Sequence, residues 1–148
     1  MEEGWLEKLA REYKEKQLRN LSERQAQQSH DEFISGHGLE AWRDLMMQTD
    51  EARKFINNTQ GHETFRFSRG EDSFRLETSV GSLVTLDVSL NLPTRTVEWE
   101  CIDAGRGNSS TGKLLPDRAG NAFIYREDDQ NKMSIKDAAA FLVRKVFP

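Results

Sequence analysis

The sequence predicts an α+β fold: an antiparallel four- to five-stranded meander with helices packed on one face, plus a long charged N-terminal helix. Three observations carry this. Residues 63–102 alternate apolar and polar side chains over four consecutive runs, residues 5–34 are charged and contain neither glycine nor proline, and residues 134–147 carry an amphipathic stripe behind a capping signal. A period of two marks strands with one buried face, and a period near 3.6 marks helices.

In the meander, Phe65 and Phe67, then Phe74, Leu76 and Val80, then Val84, Leu86, Val88 and Leu90, then Val97, Trp99 and Cys101 form the apolar sets. Turn residues bound each run: Gly70-Glu71, Gly81-Ser82 and Leu92-Pro93. All apolar sets must lie on one side, which restricts the register. A two-residue turn at Gly70-Glu71 sets Phe67 opposite Phe74, a three-residue loop from Gly81 to Leu83 sets Leu76 opposite Val88, and a turn at Leu92-Pro93 sets Val88 opposite Val97.

On the other side, the same register lines up Glu77, Asp87 and Glu98 across three strands, with Arg66 opposite Arg75. Directly opposed like charges are unfavourable, so the pattern calls for arginines leaning across or for a bound cation. Oxygen-rich clusters suit Mg2+ or Ca2+. Glu77, Asp87, Glu98, Arg66 and Arg75 are therefore the candidate ligand-binding residues, weighed against an ordinary solvated face whose ion pairs contribute little.

At 148 residues and a net charge of -4, the chain is long enough for one respectable core and has no basic excess to suit a nucleic-acid backbone. The meander aromatics fall on its buried side, which removes a base-stacking platform. No apolar run approaches the roughly 18 residues a bilayer span needs, and the acidic start lacks an apolar leader, so the expected location is cytoplasmic, without membrane contact. Cys101 is the only cysteine, and His30, His37 and His62 lack helical metal spacing, so neither a metal centre nor a cofactor is expected.

Along the chain, residues 1–34 form an N-terminal helical arm and 35–148 the α+β domain. The arm carries Glu7/Arg11, Glu12/Lys16 and Glu15/Arg19 pairs and a short stripe of Trp5, Leu6, Leu9 and Tyr13, then Leu18 and Leu21. The stripe fails at Lys16 and Asn20, short of a coiled coil, and it suits docking on the chain's own sheet, on a protein partner or in a homodimer. The glycines of SGHG at 35–38 are expected to break this helix. A core helix then covers 39–58, with a bend expected at Thr49-Asp50.

Residues 103–120 read as one long loop. Its GNSSTGK, 107–113, fits half of a phosphate-binding loop, but Leu114 stands where a Mg2+-binding hydroxyl is needed and Pro116 bars the following helix. What survives is an anion held by Arg106, Lys113 and Arg118. A fifth strand is expected at 121–126 and a last helix after Ser134, with Asp137 completing a capping box. No catalytic constellation is legible. The expected function is a non-catalytic intracellular interaction or regulatory module, with the alternative of a small-ligand or divalent-cation site on the polar sheet face.

Overall fold

The computed structural model describes residues 4–79, 81 and 83–148. It divides into two compact units, 1–33 and 34–148. Helix α1 runs Trp5–Gln60; the strands are β1 Phe65–Arg69, β2 Ser73–Thr78, β3 Val84–Asn91, β4 Thr96–Asp103, β5 Asn108–Ala119, β6 Ala122–Arg126 and β7 Lys132–Met133, and α2 spans Ile135–Arg144. The strands form one curled antiparallel sheet in sequential order.

The expected break at SGHG does not occur, because tertiary packing overrides the weak helix propensity of glycine. Gly38 is buried, and the stem of Arg95 from the β3–β4 turn lies directly against it. The expected division into two helices at Thr49-Asp50 does not occur either. The Thr49 hydroxyl donates to the Leu45 carbonyl at 2.8 Å instead of capping a new helix, and Asp50 pairs with Arg53 and Lys54 further along the same helix.

Every hairpin of the meander is displaced from the expected register by two residues. Phe67 faces Leu76, Leu76 faces Leu86, and Val88 faces Trp99. The turns are the cause. Gly70 N–H donates to the Ser73 carbonyl at 2.8 Å, centring the first turn on Glu71-Asp72, and the third turn holds Leu92 to Arg95 between the paired Asn91 and Thr96. Strand β3 begins directly after Leu83; Val80, expected on the apolar face, and Ser82 of the expected turn lie outside the described residues. A shift of two preserves the face of each side chain, so Phe74, Val88 and Trp99 still share one side, and form one row across three strands.

The expected loop at 103–120 is a turn followed by the twelve-residue strand β5, and together with the two-residue β7 this raises the strand number from the expected four or five to seven. Residues 108–114 pair with β4 and 115–119 with β6. Pro116 therefore lies just beyond the last β4 pair, where a strand tolerates it. Gly112 continues the Phe74, Val88, Trp99 row, and the Trp99 indole lies where a side chain at 112 would go.

The apolar side of the sheet meets both helices. Trp42 of α1 stacks on Phe74 with ring centroids 5.5 Å apart, and Phe141 of α2 meets Trp99 edge-on at 6.2 Å. Leu45, Leu76, Leu86, Val97, Leu114, Ala138, Leu142 and Val146 complete a core that excludes water. At the start of α2, Ser134 accepts a hydrogen bond from the Asp137 backbone N–H at 3.1 Å, as the capping signal predicts.

Candidate functional site

The polar side of the sheet is left open, as antiparallel sheets allow. Because the register moved, Glu77, Asp87 and Glu98 share that face but not a row. Glu77 faces Arg66 and Thr85, Asp87 faces Arg75 and Glu100, and Glu98 faces Ser89 and Lys113. The expected Arg66–Arg75 opposition is also absent. Each of the three acids instead has a cation beside it in its own row.

The geometry is clearest at Arg75. Its Nε donates to Asp87 Oδ1 at 2.7 Å and its Nη2 to Oδ2 at 3.3 Å, the two-pronged arrangement that suits a guanidinium and a carboxylate. That hydrogen bond, and then the Asp87 charge, hold the Arg75 guanidinium above its ordinary pKa. Lys113 Nζ stands 3.8 Å from Glu98 Oε1, and Arg66 turns to Glu63 at 3.3 Å. Among the described residues no group of three His, Cys, Asp or Glu side chains is placed to hold a metal ion.

A shallow depression of about 370 Å3 does form here, lined by Asp87, Ser89, Glu98, Glu100, Thr111 and Lys113. It takes in two of the five expected residues, Asp87 and Glu98; Glu77, Arg66 and Arg75 lie outside it. Glu100, Ser89 and Thr111 are missed by the sequence reading, which names Lys113 only as a candidate anion ligand. Glu100 is visible in the sequence as a polar position of its strand, but only the observed register sets it opposite Asp87, and Thr111 and Lys113 lie in the segment that reads as a loop. The arrangement offers hydroxyls and carboxylates to a small polar ligand, with a like-charge pair, Asp87 and Glu100, that Arg75 offsets from one side.

The anion reading of Arg106, Lys113 and Arg118 is not sustained. Lys113 and Arg118 belong to one extended strand, five residues apart and so on opposite faces. Arg106 pairs with Asp103 at 3.7 Å, and Arg118 Nε donates to the Gly120 carbonyl at 2.9 Å.

The unit of residues 1–33 presents a different surface. Trp5, Leu6, Leu9, Tyr13, Leu18 and Leu21 are each more than half exposed, Trp5 to 74% and Tyr13 to 69%. Helix periodicity gathers Trp5, Leu6, Leu9 and Tyr13 on one side. A helix in water draws most of its stability from packing such a side, and here that side is exposed.

No helix of the described residues is long and apolar enough to cross a membrane. No protein-family model, curated protein or solved structure matches the chain. The fold and its surfaces define an α+β protein with an open polar sheet face and an apolar helical stripe.

Proposed function

We propose that this chain is a non-catalytic intracellular interaction module whose docking element is the N-terminal helix. The observation that carries the reading is the exposed side formed by Trp5, Leu6, Leu9 and Tyr13. Aromatic residues exposed in this way are typical anchors of protein interfaces. Among the described residues of the sheet face, Arg75 is bonded to Asp87 and Lys113 stands beside Glu98, so its ionic groups are largely occupied with one another. The test is a photo-activated crosslinker at position 9 of the full chain in cells. Covalent protein adducts are expected from that site and not from position 11 on the opposite side of the helix; equal labelling at the two positions, or none at either, refutes the reading.

A second reading, a small-ligand or divalent-cation site, is favoured by the depression around Ser89 and Glu100. Its cation form requires Mg2+ or Ca2+ to raise the Tm of the parent chain and Asp87→Asn with Glu98→Gln to abolish that rise. An unmoved Tm removes it.

A further inference from the structure

We propose that the N-terminal helix docks on a second copy of itself, in antiparallel orientation, with Leu9 at the twofold axis. The proposal rests on the reading of this helix as the interaction element and names its partner. Trp5, Leu9 and Tyr13 are four residues apart and form a row along one side of α1. The row is symmetric in kind about its centre: aromatic, leucine, aromatic. A twofold contact requires such self-complementarity, because residue i must meet j while j meets i. Antiparallel docking sets Trp5 of each copy beside the partner's Tyr13 and brings the Leu9 side chains together.

The charges beside the row select the orientation. Lys8 and Glu12 are exposed and lie one turn apart along the same flank. In the antiparallel arrangement Lys8 falls within about 3 Å, measured along the axis, of the level of the partner's Glu12. A parallel twofold arrangement carries Lys8 and Glu12 of the two copies to opposite flanks of the contact, so this pairing is lost.

The area is adequate for a weak, specific contact. With exposed aromatics offering roughly 150–250 Å2 each, the row and Leu6 present about 500–600 Å2 per copy. The two copies together reach about 1,000–1,200 Å2, the lower edge of specific interfaces. Lys16 and Asn20 end the apolar row, so the helices cross at this point and do not continue as a long coiled coil.

The experiment is sedimentation velocity of the full chain across a concentration series, with the helical content of each variant checked by circular dichroism. A reversible dimer with a Kd in the micromolar range, about the strength such an area supports, is expected. Leu9→Glu is expected to weaken it by about tenfold or more, Tyr13→Ala to do likewise, and Arg19→Glu, away from the row, to leave it unchanged. Orientation is read in a Cys101→Ser background: oxidation of mixed Trp5→Cys and Tyr13→Cys chains yields the mixed disulfide, whereas Trp5→Cys alone does not link to itself. A chain that stays monomeric at every concentration overturns the proposal, as does self-linking of Trp5→Cys. Crosslinking at position 9 to a different protein, with no dimer in sedimentation, sinks the self-docking while the interaction reading stands; no adduct of any kind sinks both.

Discussion

Gly38 and Arg95 are packed so closely that a side chain at position 38 would displace Arg95: a Cβ there would lie 2.5 Å from Arg95 Cγ and 2.8 Å from its Cδ. Arg95 has little room to withdraw. It adopts a left-handed backbone with φ of 60°, its N–H donates to the Asn91 carbonyl at 2.8 Å, and its guanidinium reaches back to the Leu92 carbonyl. The contact pins the β3–β4 turn to the helix.

Gly38→Ala is accordingly expected to destabilise the fold by about 1–3 kcal/mol, the overpacking penalty outweighing the gain in helix propensity. Gly36→Ala, with nothing within 4 Å of the added Cβ, is expected to stabilise by about 0.5–1 kcal/mol. Urea denaturation of the two variants checks the opposite signs. Combining Gly38→Ala with Arg95→Gly removes both the clash and the strained backbone, so the double variant is expected to recover more than the sum of its parts.

The edge strand is held by a helix side chain. Asn57 Oδ1 accepts from the N–H groups of Thr64 and Phe65 at 2.9 and 3.0 Å, and Nδ2 donates to the Phe65 carbonyl at 3.0 Å. The amide thus takes the place of a neighbouring strand at an edge that otherwise invites aggregation. Asn57→Ala is expected to cost about 2–3 kcal/mol, roughly one per bond, and to speed amide exchange at Phe65. Asn57→Asp keeps the acceptor and loses the donor, and should fall between the parent and alanine in urea midpoint.

Tyr125 is fully buried and its hydroxyl has no hydrogen-bond partner among the described residues. Burial first, then the nearby Asp44 charge, pushes its phenol well above the ordinary value. A folded-state pKa above the unfolded one means the associated stability is present below the ordinary tyrosine value of about 10 and declines as pH rises from there. Tyr125→Phe is expected to be neutral or stabilising by about 1 kcal/mol at neutral pH, since it deletes an unsatisfied buried group. It should also flatten the alkaline fall in Tm between pH 9 and 11, roughly the range over which free tyrosine ionises. A steeper alkaline fall in the variant would contradict the assignment.

How much of this was legible in the chain depends on the reach of the interaction that decided it. Alternation along each strand, the Ser134 cap and the charged amphipathic start are local patterns, and they determined the α+β class, the buried face of residues 65–101 and the last helix. What the sequence could not supply were choices between states with equal local merit. A two-residue register slip leaves every side chain on its own face, so the apolar pattern is indifferent to it; turn hydrogen bonds such as Gly70 to Ser73 decide it, and with it which acid meets which base. Likewise β5 shows no apolar alternation at Gly112 because the Trp99 ring fills that place, and α1 continues through Gly38 because Arg95 packs there. In both, a side chain distant in sequence takes the place of a missing one, and only the tertiary structure brings the two together.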